Sequence, residues 1–508
     1  MISLTAILTF AAILNYSGDF DEGDWVNYTN FRYVTAVAMD QTIVYFGTTG
    51  GVIRYDRYAK KWLDPLTVTD GIPAGWIDNI AYDPDWDRVW VTTPDGNAYY
   101  QPIFKKWYRG GDFPYELARN DFDSRAFPLL NTEFGYSYQD GRFRDFNMQE
   151  FPLTRGVEDD YDNLFVGTWG MGPALINTRY QDLSIMPYGP YSTNISTIIK
   201  IGDELWMGDG LGDPAAGAIS KFDRLTGKWQ WFQPRYVSGL ASSRLTSAAG
   251  GNSIIWLGTE YGVVRYDKKN DSFTTHGDFS MLPSVTISSV AEDSLRIFAG
   301  TDNGLGYISR KHPGSISKSE DPADSANNGV TGVSENPTIQ SREQRLIGWR
   351  INNVEIIGQY LYLATEKGAL RRLLDQSAEF EYVNTPDRML STEIYDIASK
   401  GDSLYFVTRN DILIVDLKTE DYSTIIDHKY FGQWHLRQIE VDRKNIWVAT
   451  DIGLWKYRLK DGYSRLFTVG DGMISDDVRN IVLDGDYIWI ATPGGLIRFY
   501  WNDPGRND

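Results

Sequence analysis

A thirteen-residue phrase, Val44-Tyr-Phe-Gly-Thr48-Thr-Gly-Gly-Val-Ile-Arg-Tyr-Asp56, returns along this chain with mostly conservative changes. It reappears as Ile255-Trp-Leu-Gly-Thr259-Glu-Tyr-Gly-Val-Val-Arg-Tyr-Asp267, as Ile446-Trp-Val-Ala-Thr450-Asp-Ile-Gly-Leu454, and as Ile488-Trp-Ile-Ala-Thr492-Pro-Gly-Gly-Leu496-Ile-Arg-Phe499. Weaker copies centre on Thr93, Thr168, Asp209, Thr301, Thr365 and Thr408. Successive anchors such as Thr408, Thr450 and Thr492 stand 42 residues apart. A repeat of this length, built of short apolar runs and turns, cannot bury its faces alone and must stack against its neighbours. Four short strands per repeat make a blade, and blades arranged about an axis make an all-β propeller.

Each unit reads strand by strand. An innermost alternating strand comes first, as in Tyr33-Val-Thr-Ala-Val-Ala38, Ile77-Asp-Asn-Ile-Ala81 and Val478-Arg-Asn-Ile-Val482. A turn rich in Asp and Gly leads to the aromatic strand, where a small residue precedes Thr and suits close blade packing. The next turn carries Gly51, Gly262, Gly304, Gly368, Gly453 or Gly495, as a tight hairpin needing φ > 0 demands. After the third strand, Asp56, Asp223 and Asp267 open a polar turn through Asx hydrogen bonding. The outer strand brings another indole: Trp62, Trp107 or Trp229. Aromatics make up 14 % of the chain, with 17 Trp and 32 Tyr, and this pattern assigns most of them to packing between blades. The Arg-Tyr pairs of the third strand are assigned to blade surfaces in the same way.

The last unit ends with its third strand, Leu496–Tyr500, and lacks an outer strand, whereas Asp24-Trp-Val-Asn-Tyr-Thr29 reads as an outer strand without a unit. The two are expected to pair and close the array, removing two sheet edges. Ten units have clear anchors, and an eleventh, degenerate one falls at 126–152. They form either one wide ring or two rings, with the irregular stretches 105–160 and 309–345 as the candidate crossing points. The second, rich in Ser, Pro, Asn and Gly, reads as a flexible insertion.

Other features narrow the function. Lys and Arg number 49 against 68 Asp and Glu, a net charge of −19, which disfavours nucleic acid and anionic membranes as partners. The absence of cysteine removes disulfides, thiolate metal sites and cysteine nucleophiles. The four histidines, His276, His312, His428 and His435, show no zinc-hydrolase spacing. The apolar run from Ile2 to Leu14 has the length of a signal-peptide core and is too short to span a bilayer. Residues 1–18 are therefore expected to be an export signal, and 19–508 the propeller, placing the protein in the periplasm or outside the cell. No other run reaches transmembrane length.

The phrase Trp-x-Gly-Thr-x₂-Gly-Leu-x-Arg-Tyr-Asp is joined to the next unit by leaders such as Thr67-Val-Thr-Asp70-Gly-Ile-Pro73 and Thr468-Val-Gly-Asp471-Gly-Met-Ile-Ser475. This combination resembles the two-component regulator propeller repeat over nearly the whole chain. The resemblance implies a bacterial exported propeller of the kind found in the periplasmic sensor regions of hybrid histidine kinases, which recognise glycans or other extracellular signals, or in stand-alone secreted propellers. No immunoglobulin-like stalk, kinase or regulator segment follows the last unit, so signalling would run through a separate partner.

Candidate ligand-binding residues are those that break the repeat on the face carrying the loops between blades. The turn Gly167-Thr-Trp169-Gly-Met171-Gly-Pro173 is longer than its equivalents. In the next unit Asp209 replaces Thr, in the extended turn Asp209-Gly-Leu-Gly-Asp213-Pro-Ala-Ala-Gly217. Tyr188, Tyr191 and Asn194 lie in the loop between these units, and Trp76, Asp78 and Arg479 enter innermost strands from the same face. Aromatic rings flanked by carboxylates and amides suit a sugar. Asp209 and Asp213 are also weak candidates for a calcium site; otherwise no cofactor is expected. The acidic run Glu158, Asp159, Asp160 and Asp162 reads as a solvated turn. The leading expectation is a non-enzymatic exported propeller that binds a carbohydrate or a protein partner. Two alternatives are a glycan-active lyase or hydrolase, with Asp209 or Glu158 and Tyr191 as acid and base, and a structural module of a cell-surface assembly.

Overall fold

A computed structural model describes residue 20 and residues 23–504, apart from 134, 211–216, 252, 278–281, 310–345, 375–378, 384–390, 410, 420 and 426–433. The proposed export signal and nearly all of the 309–345 insertion lie outside the described residues, as does Asp213.

The fold is a β-propeller, and its units divide into two assemblies. Seven blades form a closed ring: 195–232, 245–276, 287–309, 351–382, 396–425, 436–467, and 480–500 with 25–28, numbered here ring blades 1 to 7. The innermost strand of each packs against the innermost strand of the blade before it, and in all but ring blade 5 against that blade's second strand as well; ring blade 1 packs on ring blade 7 in the same way and closes the ring. Three further blades, 34–62, 79–109 and 150–185, form an arc in which the third packs on the first and the first on the second. The degenerate eleventh unit does not stand alone. Its strands Leu129–Thr132, Tyr136–Gln139 and Arg142–Asp145 run into the long, bulged strand Glu150–Glu158, and its first strand pairs in parallel with the outer strand Asp182–Ile185. That wraps it around the third arc blade as a closed seven-stranded sheet.

The crossing points between ring and arc differ from those expected. The chain leaves the ring at 29–33 and re-enters it at 186–194; the stretch 105–160 lies within the arc, and 309–345 within the ring. Short links suffice because outer strand Trp25–Tyr28 ends beside the arc. The joint is packed on Tyr188, whose ring meets Trp62 (4.7 Å between centroids), Phe31 (5.6 Å), Tyr28 (6.0 Å) and Trp229 (6.3 Å). Its hydroxyl donates to the Leu63 carbonyl at 2.8 Å, and Arg498 pairs with Asp64 at 2.8 Å across the same joint.

Strand Trp25–Tyr28 does pair with the last strand, in the register Trp25↔Phe499, Val26↔Arg498, Asn27↔Ile497 and Tyr28↔Leu496. Polar side chains of the innermost strands add a second closure. The backbone N–H of Val354 donates to Ser289, that of Ile439 to Asp396, that of Ile481 to Gln438 and that of Ile198 to Asn480, the last joining ring blades 7 and 1 at 2.8 Å.

The Thr of the repeat has a structural duty. Thr48, Thr259, Thr301, Thr365, Thr450 and Thr492 each donate the hydroxyl to the carbonyl three residues on, at 2.7–2.8 Å. The same oxygens accept an N–H from within the turn. All six side chains are buried. The small residue before Thr meets the next blade: a Cβ on Gly47 would lie 2.8 Å from Ile77, and one on Gly300 would lie 2.8 Å from Ile351. Replacing Thr492 with Val keeps the volume but removes the hydroxyl's bonds to the buried Gly495 carbonyl and the half-buried Gly494 N–H. It is expected to cost about 1–3 kcal/mol, read as a lowered midpoint in urea unfolding, whereas Thr492→Ser should recover most of the loss.

Candidate functional site

The long turn at Thr168 shows how a repeat makes a site by departing from itself. Its hydroxyl donates to the carbonyl of Gly172, four residues on rather than three, at 2.7 Å. The extra residue needs Gly170 and Gly172 at φ of 122° and 79°, where a side chain would be strained. The turn is clasped by Arg32: the N–H groups of Gly170 and Gly172 donate to the Arg32 carbonyl at 3.0 and 2.8 Å, and the Arg32 Nε donates back to the Gly170 carbonyl at 2.8 Å. Trp169 is thereby held outward, 38 % exposed.

Around it the structure assembles a track of rings. Trp76, 44 % exposed, lies 6.0 Å from Trp169, and Tyr33 meets the other side of Trp169 edge-on at 5.1 Å. The Arg32 guanidinium then lies over Tyr191, 3.6 Å from its centroid, and donates to the Tyr191 carbonyl at 3.0 Å. Tyr191 meets Trp231 edge-on at 5.6 Å, and the Trp231 indole donates to the Gly189 carbonyl at 2.9 Å. The track thus runs from the arc onto ring blade 1. Its loops are pinned by backbone bonds: Ile77 N–H to the Thr48 carbonyl, Asp78 N–H to the Thr92 carbonyl, and Tyr191 N–H to the Ser220 hydroxyl. Rings held this rigidly lose little entropy when a ligand stacks on them.

Of the candidate residues, Trp76, Trp169 and Tyr191 are brought together, and Asp78 is exposed next to Trp76. Met171 and Tyr188 lie away from any ligand-facing surface. Both are buried, Met171 in the core of the third arc blade and Tyr188 in the joint, where Leu63 satisfies its hydroxyl. Neither is presented to a ligand. Arg479 stands off the track, at the junction of ring blades 7 and 1 beside the Asp209 turn: it donates to the Asn194 side chain, would lie 2.5 Å from a Cβ on Gly210, and faces Asp477 at 3.6 Å. Asp209 is buried at the base of its extended turn. A Cβ on Gly217 would meet its carboxylate at 2.3 Å, so Gly217 lies directly against it. Among the described residues no three His, Asp or Glu side chains converge as metal ligands, and no helix is long and apolar enough to cross a membrane.

Arg32, Tyr33 and Trp231 were not anticipated. Trp231 carried a visible signal, since Trp229-Gln-Trp231 puts a second indole where other outer strands have one. Arg32 had none, because its role comes from contact with a turn more than a hundred residues away.

No family model matches the chain, and no curated protein matches it in sequence. Solved structures similar in backbone include the extracellular domain of a hybrid two component system from B. thetaiotaomicron, at 14 % identity, 94 % of this chain, 71 % of that chain and a TM-score of 0.46. PorZ, described as a bacterial surface component of the type-IX secretion system of Porphyromonas gingivalis, matches at 15 % identity, over 93 % of this chain and 69 % of that chain, with a TM-score of 0.46. The WD40 β-propeller domain of Doa1 matches at 9 % identity, over 62 % of this chain and 95 % of that chain, with a TM-score of 0.41.

Proposed function

We propose that this chain is an exported, non-enzymatic β-propeller that binds an extracellular glycan along the Trp76–Trp169–Tyr33–Tyr191–Trp231 track. The observation that carries the reading is the exposure of Trp76 and Trp169 in a fold that buries most of its indoles between blades. An indole left facing water forgoes about 1.5–3 kcal/mol of burial, and a clasped turn one residue longer than its equivalents maintains that exposure. Sugar rings offer apolar C–H faces for stacking and hydroxyls for the N–H groups and carbonyls along the loops. The rings of the track are linked through a guanidinium rather than by paired carboxylates, which supports binding rather than hydrolysis.

Screening the protein on glycan arrays, followed by calorimetry on the best oligosaccharide, tests this. Trp169→Ala is expected to weaken binding about tenfold or more, the loss of about 1.4 kcal/mol or more of stacking. Trp76→Ala should cost somewhat less, since Trp169 also supports Tyr33. Both variants should keep the parent's thermal midpoint to within a few degrees. Unchanged affinity in Trp169→Ala would remove the site, and chain cleavage on prolonged incubation would remove the non-enzymatic reading.

A further inference from the structure

The seven innermost strands of the ring enclose a channel cavity of about 500 Å³. The strand registers sort part of its wall into two tiers. One tier is Thr197, Ser247, Ser289, Asn353, Asp396, Gln438 and Asn480, polar in every blade and, in four of them, bonded to the N–H of the next blade. Two residues along, the equivalent positions are Ile199, Ala249, Ala291, Glu355, Ala398, Glu440 and Val482. Five of these seven are apolar. The exceptions, Glu355 and Glu440, stand on ring blades 4 and 6 with only the small Ala398 between them.

Packing of the ring gives no reason for two carboxyl groups in an apolar tier. Both line the cavity and are half-buried in its wall. Among the described residues Glu355 has neither a hydrogen bond nor an ion pair, and Glu440 accepts one long bond from Gln438 at 3.4 Å. The wall cations are engaged elsewhere: Lys200 with Asp484 at 2.9 Å, Arg437 with Asp477, and Arg479 with Asn194 and Asp477. Asp396, one tier away, accepts from Ile439 N–H at 2.9 Å and from the Asn353 amide. A buried charge without a partner is costly, so this pair favours a cation from outside.

We propose that the channel of the seven-bladed ring binds a small organic molecule through a primary ammonium group seated between Glu355 and Glu440. The amides and hydroxyls of the neighbouring tier, Asn353, Gln438, Ser289 and Asn480, take the polar remainder of the ligand. A bare metal ion fits less well. The described carboxylates do not converge as ligands, and the cavity is far larger than an ion needs. This site is separate from the aromatic track and does not depend on it.

Unliganded, burial and the neighbouring carboxylates push Glu355 up to about 7 and Glu440 up to about 8, and burial pushes Asp396 up to about 6. Lys200 opposes this only weakly at Glu440. A bound ammonium stabilises the ionised pair, so binding near pH 7 must release protons.

Calorimetry with 1,4-diaminobutane and glucosamine, against 1,4-butanediol, glucose and calcium chloride, tests the proposal. The amines should bind at least tenfold more tightly than their uncharged counterparts and than calcium. Their binding enthalpy should vary with the ionisation enthalpy of the buffer, reporting up to about one proton released per ligand. Glu355→Gln and Glu440→Gln should each weaken amine binding at least tenfold and reduce the proton release, while Trp169→Ala leaves it unchanged. Amines that bind no better than the uncharged molecules, calcium that binds as tightly, or amine affinity that survives with Glu355→Gln and Glu440→Gln combined in one chain would each overturn it. A loss of glycan binding in Trp169→Ala with amine binding intact would test the two sites separately.

Discussion

Replacing Trp25 with Ala is expected to cost about 3–5 kcal/mol, and removing residues 20–29 is expected to leave no soluble folded protein. Trp25 is buried and stacks on Phe499 with a centroid distance of 3.8 Å and an interplanar angle of 4°. Phe467 lies 6.0 Å away, and Phe20 approaches edge-on at 5.5 Å. Gly472 approaches so closely that an added Cβ would meet the indole at 2.8 Å. On the other face of the strand, Val26 and Tyr28 belong to the core that ring blade 7 shares with ring blade 1 and the arc. Deleting the strand therefore exposes the unpaired edge of Gly495–Tyr500, opens two cores at once and detaches the joint to the arc. A circular permutant gives the control. Tyr500 N–H already donates to the Asp24 carbonyl at 2.7 Å, so a chain starting at Asn30 and carrying residues 24–29 after the last strand, through a short linker, should fold and melt near the parent. Urea unfolding of the three proteins reads the outcome. A deletion variant that melts within a few degrees of the parent would show that closure is not what holds the ring.

That closure was legible in the sequence because it follows from counting: one unit lacked an outer strand and one outer strand lacked a unit. Blade boundaries were legible for a related reason. The Thr and Gly of each turn answer to local hydrogen bonds, and local rules repeat visibly. The division into ring and arc was not legible. It depends on whether the innermost strand at Ile195 packs against the blade preceding it in sequence or against the last one, and both choices bury similar apolar faces. What decides it is the joint on Tyr188 and the Ile198–Asn480 bond, contacts between residues far apart in sequence.

The candidate site was legible to the extent that a break in a repeat is visible. The extra residue after Thr168 signalled Trp169, and loop position signalled Trp76 and Tyr191. The same reasoning misassigned Met171 and Tyr188, because an irregular loop carries apolar residues for its own anchoring as well as for ligands. Sequence alone does not separate the two uses; burial does. The channel glutamates were hidden for a different reason. Each sits in an innermost strand whose apolar alternation differs from blade to blade, and only the aligned registers show that five of seven positions at that tier are apolar.

Those glutamates also determine how stability should vary with pH. Glu440, Glu355 and Asp396 are raised in the folded protein to about 8, 7 and 6, from ordinary values of 4.5, 4.5 and 3.8. Below the ordinary values both folded and unfolded chains carry these groups protonated. As the pH rises the unfolded chain ionises first, so stability present in acid is lost across roughly pH 4 to 8. Asp484 has the opposite sign. Its burial would raise it, but Lys200, the Trp489 indole and Arg224 outweigh that and hold it below the usual carboxylate range, so its contribution is lost only in stronger acid. Glu440→Gln removes the group with the largest upward displacement while keeping its shape. Water in the channel screens part of the penalty, so the variant should exceed the parent by on the order of 2 kcal/mol at pH 9 and match it at pH 4. Asp484→Asn should instead destabilise at pH 7 and 9, leaving two cations beside a neutral amide. Urea midpoints at pH 4, 7 and 9 measure both. Parallel pH profiles for the parent and Glu440→Gln would mean that the channel carboxyls titrate as they do in water, and that the ring carries no stored electrostatic strain for a cation to relieve.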